Sequence, residues 1–312
     1  MKSQRVVWGE VLAELAAEDD RIVVIDGDLA TSTRADIVAE RVPEAFVEAG
    51  IAEQNLVGVA VGMSTVGYRP WLSTFGVFLT HRALDQLRML VSQTKAPVRV
   101  VGSYSGLLTG ASGKTHQDLA DIAIMRAMPH FAVLAPADEY ELEAMMRWAG
   151  DFEQPLYLRV ARDAVSPVGE PQGFVLGEPR LLRDADDARL VVISTGVQTS
   201  RTVEALDIVA HAHRIRHIHL PTLKPLDEDA LLDMIGDCDH VVTVEEHSVF
   251  GGLGGLISEV LSARAPRRVD RIGLADGWAE SAPNEFLLDR YGLSAQRVAD
   301  RMMELLGGRD GS

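Results

Sequence analysis

Apolar runs of strand length alternate with stretches of helically spaced apolar residues along this chain. Residues 6–17 carry helical spacing, and 21–26 (RIVVID) read as a buried strand. The pattern predicts a helix at 52–66, a strand at 70–74, a helix at 79–93 and a strand at 97–102 (PVRVVG). A helix around 119–128, a strand at 132–134, a helix at 138–148 and a strand at 156–160 follow. Such βα alternation predicts a parallel sheet covered by helices on both faces.

The texture changes between residues 166 and 188. Pro167, Gly169, Pro171, Gly173, Gly177 and Pro179 crowd together, and the charged stretch 183–187 follows. A domain boundary belongs there. Beyond it, strands are expected at 189–194, 217–220 and 240–244, and helices at 199–212, 256–263 and 295–306. The expected fold is therefore α/β, with two domains that are each a mostly parallel sheet with helices on both faces. Residues 1–167 form the first, 168–187 a linker and 188–312 the second. A length of 312 residues suits two domains of about 150.

Composition narrows the partners. The formal net charge of −16 opposes nucleic acid and anionic membranes, so neither is an expected partner. A phosphate ester would need cations placed locally against that field. Cys238 is the only cysteine, which excludes an intrachain disulfide and fits a reducing compartment. The first residues lack the pattern of a signal peptide, and no apolar run approaches the ~18 residues of a membrane span. The expected location is the cytoplasm. Aromatic residues make up only 5%, so any aromatic cluster stands out.

In open parallel sheets, ligands bind beyond the carboxyl ends of the strands. That directs attention to residues 26–33, 74–81, 103–116 and 160–162. The segment GIAEQNLVGVAVGM (50–63) is nearly all apolar after Asn55, as in a buried helix, and has Glu53 in its first turn. Burial favours the neutral carboxyl and a helix N-terminus the charged one, so Glu53 is either a proton donor or a simple complement to the helix dipole. In STFGVFLTH (73–81), Phe75 and Phe78 are spaced for one helix face. They are either core or a flat surface for a heteroaromatic ring. GLLTGASGKTH (106–116) is a glycine-rich loop that ends in Thr115 and His116, a better place for a working histidine than a core. VEEHSVFGGLGG (244–255) does not fit a dinucleotide-binding glycine pattern. No P-loop or metal-ligand spacing is present, and Glu245, Glu246 and His247 are adjacent, so a strand cannot turn all three to one ion.

GIAEQN, then STFGVF, then GKTHQDLADIAIMRAMP, then YLRVAR, in this order, resemble the transketolase family over nearly the whole chain. The match is to the pyrimidine-binding domain followed by the C-terminal domain. It implies a thiamine-diphosphate enzyme that moves a two-carbon ketol unit between sugars. In the family, the preceding domain holds the diphosphate and Mg²⁺ through a GDG motif with a downstream Asn. GDG occurs nowhere here, since residues 26–28 read Asp-Gly-Asp. The resemblance therefore implies a separate diphosphate-binding subunit that holds Mg²⁺, in an α2β2 assembly. No metal site is expected in this chain.

By resemblance, Glu53 is the glutamate that contacts N1′ of the aminopyrimidine and promotes its imino tautomer, whose N4′ takes the thiazolium C2 proton. Phe78 is the residue stacked on the pyrimidine and Phe75 its companion. His81 stands in the cofactor-binding set where an aromatic residue is usual. His116 is the substrate-contacting histidine, and Arg5, Ser32 and Arg162 hold the sugar phosphate. Tyr104 replaces a family histidine on the phosphate side, Ser112 an aspartate that reads a donor hydroxyl, and Lys114 a proline near it. These departures bear on which sugars are accepted. Two other readings follow from the same residues: a 2-oxo acid dehydrogenase β subunit or deoxyxylulose-phosphate-synthase-like enzyme, or a non-catalytic paralogue. The THQ loop with Arg5, Ser32 and Arg162 favours ketol transfer, and an intact Glu53 and Phe78 speak against a pure scaffold.

Overall fold

The computed structural model describes residues 1–209 and 212–307. The described residues contain twelve strands in two sheets. The first sheet comprises β1 (Ile22–Asp26), β2 (Phe46–Glu48), β3 (Arg69–Phe75), β4 (Arg99–Ser103), β5 (Ala132–Leu134) and β6 (Leu156–Val160). The second comprises β7 (Arg180–Arg183), β8 (Leu190–Ser194), β9 (Ile215–His219), β11 (His240–Ser248) and β12 (Arg268–Leu274). Between β9 and β11, strand β10 (Thr222–Lys224) leaves the second sheet and joins the first. The first order is thus β10-β5-β6-β4-β3-β1-β2, and the second is β12-β11-β8-β9-β7. Pairing is parallel except for β10 on β5 and β7 on β9. This is the α/β architecture that the alternating pattern predicts.

Strands β1, β4 and β6 are buried along their whole length, which is why apolar residues predominate in them without alternation. On one face of the first sheet, helix Gln4–Glu18 packs Trp8, Val11 and Leu12 against Leu142, Met145 and Met146 of helix Glu139–Ala149. On the other face, Leu56, Val57 and Ala60 of helix Glu53–Thr65 join a core that runs on into Val191, Ile193 and Leu220 of the second sheet. The two sheets therefore share one apolar seam.

A buried polar chain crosses the same seam. Glu141 pairs with His219 Nε2 at 2.8 Å and accepts from Arg180 Nη1 at 2.6 Å. Burial alone would push the Glu141 carboxyl up, but His219 and Arg180 more than offset it and hold it at about 2.

Several elements differ from expectation. β7 lies inside the stretch 168–187 expected as a linker, and its pairing with β9 is what places it there. The stretch 79–93 is not one regular helix. Ala83 N donates to Phe78 O at 3.1 Å and Gln93 N to Arg88 O at 3.3 Å, both five residues back, so two wide turns interrupt it. The helix expected at 199–212 spans Gln198–Ile208, and residues 210–211 of that expectation lie outside those described. β12 was not anticipated because its alternating charged residues sit at a sheet edge. Among the described residues, no helix is long and apolar enough to cross a membrane.

Candidate active site

In the first sheet the chain moves outward from β1 to β2, then reverses to lay β3 on the other side of β1. The carboxyl ends of β1 and β3 flank this reversal, the place where open α/β sheets bind ligands. Glu53 opens the helix that packs beside it. Its side chain is 1% exposed, and both carboxylate oxygens accept from Arg82 Nη1, at 2.7 and 2.6 Å. The Arg82 guanidinium also lies over Phe78, 4.5 Å from the ring centroid. One planar side chain therefore touches the buried carboxylate and an aromatic face together.

The aromatic residues form a cluster. Phe75, at the end of β3, stacks on Phe78 with centroids 5.9 Å apart and on Tyr104 at 4.3 Å. His116 meets Phe75 and Phe78 edge-on, at 6.0 and 5.6 Å. The His116 Nδ1 lies 2.9 Å from Thr115 Oγ1. Tyr104 follows β4 with a φ of 57°, a backbone conformation uncommon outside glycine. That conformation turns its ring into the cluster.

Tyr104 lies between two cations. The guanidinium carbons of Arg5 and Arg162 are 5.7 and 5.6 Å from its ring centroid. Arg5 Nη1 donates to Tyr104 Oη at 2.7 Å and to the Ser32 carbonyl at 2.9 Å, so Ser32 takes part through its backbone. The Nε atoms of both arginines are buried without a hydrogen-bond partner. Buried guanidinium donors left open suit an anion.

His81 and Ser112 stand apart from this group. His81 is exposed, with Nδ1 2.9 Å from Thr80 Oγ1, which donates to Asp118 at 2.5 Å. His81 borders a cavity of about 410 Å³ that Lys114, Gln117 and Trp278 also line. Ser112 is exposed, and its carbonyl accepts from Thr115 Oγ1. The structure thus brings together Glu53, Phe75, Phe78, Tyr104, His116, Arg5, Ser32 and Arg162, but places His81 at the margin and Ser112 on the outer turn of the loop.

The second domain holds the 106–116 loop. Leu107 and Leu108 insert into the core formed by Val192, Val242 and Leu287. Glu246 Oε1 accepts from Leu107 N and Leu108 N, Asn284 Oδ1 from Gly110 N, and Ala111 O from Ser281 Oγ. Gly106 has a φ of 93°, and a Cβ there would collide with Glu246.

Sequence reasoning missed Arg82, Asp118, Glu246 and Asn284. Arg82 reads as one more polar position on a helix. Asn284 lies more than a hundred residues from the loop it binds. Glu246 was noticed only as a poor metal ligand. Asp118 directly follows the THQ segment (115–117), the one usable signal. Its carboxyl is pushed up to about 7, first by burial and then by Asp121.

The model of the transketolase pyrimidine-binding domain matches residues 2–167, and that of the transketolase C-terminal domain matches 179–298. The chain belongs to the transketolase family. It is 35% identical to a solved "Split gene transketolase, inactive beta4 tetramer" and superposes on it with a TM-score of 0.87, covering 98% of each chain. It is 32% identical to the 6-deoxy-6-sulfo-D-fructose transketolase subunit SqwH of Clostridium sp. (strain MSTE9), covering 94% of this chain and 91% of that protein. It is also 36% identical to the 1-deoxy-D-xylulose-5-phosphate synthase of Thermomicrobium roseum, covering 96% of this chain but only 48% of that protein. In this transketolase-family chain the helix Glu53–Thr65 is buried on one side only. Leu56, Val57 and Ala60 face the core, whereas a Cβ built on Gly58 or Gly62 meets nothing within 4 Å. The sequence suggested a helix covered all round, and in this chain its glycine face is open.

Proposed function

We propose that this chain is the pyrimidine-binding half of a two-chain, thiamine-diphosphate-dependent transketolase that moves a two-carbon ketol unit between sugars with an anionic end. The observation that carries this reading is the reach of one planar group to both Glu53 and Phe78. A surface that takes a guanidinium in that way fits an aminopyrimidine, which offers a ring to stack and a nitrogen to bond. When bound, thiamine diphosphate supplies the nucleophilic carbon that carries the two-carbon unit.

This chain's residues supply the rest. Glu53 holds a proton at the ring nitrogen, inside a site that excludes water from one side. Phe78, backed by Phe75, fixes the ring plane. His116 reaches over the edges of both rings and moves protons at the substrate's oxygen atoms. Arg5 and Arg162 hold the anionic end of the sugar with their open Nε–H groups, against the acidic net charge. Tyr104 spaces them. His81 and Ser112 act at the margin, on the cofactor and on a donor hydroxyl.

The diphosphate and Mg²⁺ belong to a partner subunit in this reading. The chain lacks the GDG sequence by which the family holds them. The solved relative, described as an inactive beta4 tetramer, supports a requirement for a partner. The open Gly58–Gly62 face of the helix supports an interface, in an α2β2 assembly in the cytoplasm. The likeness to the T. roseum synthase supports a second reading, acyloin formation from a 2-oxo acid on the same surface.

Calorimetry tests the split site. The chain alone should bind thiamine diphosphate weakly with or without Mg²⁺, and tightly once assembled with its partner. Tight, Mg²⁺-dependent binding by the chain alone would falsify the proposal. Turnover of the assembled enzyme with ketose donors against pyruvate separates the two chemistries.

A further inference from the structure

We infer that Arg82 is a placeholder for the aminopyrimidine: in the free chain its guanidinium occupies the ring's position between Glu53 and Phe78, and it must swing out before the cofactor seats. The inference rests on the reading of the site given above.

Three observations converge on it. Arg82 Nη1 bonds both oxygens of Glu53, so the guanidinium sits across the carboxylate edge that a ring nitrogen would approach. The guanidinium carbon lies 4.5 Å from the Phe78 centroid, so the stacking face is covered by the same group. Arg82 itself is 46% exposed while Glu53 is 1% exposed, so the arginine can leave toward solvent and the glutamate cannot.

The arrangement has a physical reason. A carboxylate buried without a partner is costly, and a guanidinium is the side chain best suited to cover it. A guanidinium also offers a planar N–C–N edge, as an aminopyrimidine does. Exchange of one for the other keeps Glu53 bonded throughout. Its consequence is that free chains present the cofactor with a site that is open only part of the time, and apparent affinity falls by that fraction. Arg82 lies within one wide turn of the backbone, closed by Ala83 N on Phe78 O, and Gln54 Nε2 donates to its carbonyl at 3.3 Å. Its main chain is thus held while its side chain is not.

The probe is 4-amino-5-hydroxymethyl-2-methylpyrimidine, the pyrimidine half of the cofactor, titrated into the full-length chain by calorimetry. Arg82→Met keeps an apolar stem over Phe78 and removes the guanidinium, and Arg82→Ala removes both. Each should bind the probe more tightly than wild type, by on the order of five- to tenfold. The gain should vanish when Glu53→Gln is added to Arg82→Met. Binding equal to or weaker than wild type in both single variants, with wild type itself binding, overturns the inference and leaves Arg82 as a structural partner of Glu53. Absence of binding in every chain overturns the inference, and titration of thiamine diphosphate into the assembled enzyme, where tight binding is expected, decides the thiamine-diphosphate reading by itself. Circular dichroism and urea midpoints on the same samples establish that the variants are folded.

Discussion

Glu246, at the carboxyl end of β11 in the second sheet, accepts a hydrogen bond at 2.9 Å from the backbone N–H of Leu107 in the first domain. The same oxygen accepts from Leu108 N at 3.2 Å, and Arg201 Nη1 lies 3.3 Å from the other. The C-terminal domain thereby fixes the start of the loop that ends in His116. Removal of the carboxylate leaves two backbone donors unpaired and takes from Arg201 Nη1 one of its two acceptors, the other being Gln198 Oε1 at 3.2 Å. Glu246→Ala should cost about 2–4 kcal/mol in urea unfolding and lower turnover of the assembled enzyme, and Glu246→Gln should cost less. Gly106→Ala should act similarly, because a methyl group at φ 93° displaces the carboxylate.

Glu53→Gln separates proton transfer from structure. If Glu53 only complements its helix, the amide should cost ~0.3–1 kcal/mol of stability and leave chemistry untouched. The proposed role instead predicts that deuterium exchange at the cofactor C2 slows about 10²–10⁴-fold in the assembled enzyme, with a modest loss of cofactor affinity because Phe78 still stacks. Exchange at the wild-type rate would return Glu53 to a structural role.

Arg5 and Arg162 should discriminate by charge. Each open Nε–H that meets an anion contributes roughly 1.5–3 kcal/mol. Arg5→Ala or Arg162→Ala should then raise KM for a phosphorylated acceptor by about 10–100-fold and leave the KM of its unphosphorylated analogue nearly unchanged. Equal effects on the two acceptors would mean that the arginines only support Tyr104.

Asp118 gives stability a pH dependence of known sign. Its carboxyl is raised to about 7 in the fold, by burial first and Asp121 second. In the unfolded chain it ionises near 3.9. The folded state therefore holds a proton that the unfolded state has lost, and this contribution is present below about pH 4 and is lost as pH rises through 7. Asp118→Asn should flatten that slope and gain about 1–3 kcal/mol relative to wild type between pH 4.5 and 8, since Asp121 shares the titration. Some slope should remain, because burial also raises Asp26, to about 6. Urea unfolding across that range is the measurement, and parallel curves for the two proteins would refute the assignment.

Much of the fold is legible in the sequence because its strands are buried on both faces. Continuous apolar runs such as Ile22–Asp26 can hardly be anything else, and the helices between them follow from spacing. The order of the motifs marks Glu53, Phe75, Phe78 and His116 in the sequence itself, because each depends on a local feature: a helix start, a strand end, a glycine-rich loop. Tertiary structure decided what depends on distant chain segments. Strand β10 crosses to the first sheet because its edge bonds to β5, a pairing no local pattern encodes. Arg82 meets Glu53 from 29 residues away, and Glu246 meets Leu107 from 139 away. A charged residue on an amphipathic surface looks the same in sequence whether it faces water or a buried carboxylate. The difference lies in desolvation, and only the packed chain determines which polar groups lose their water.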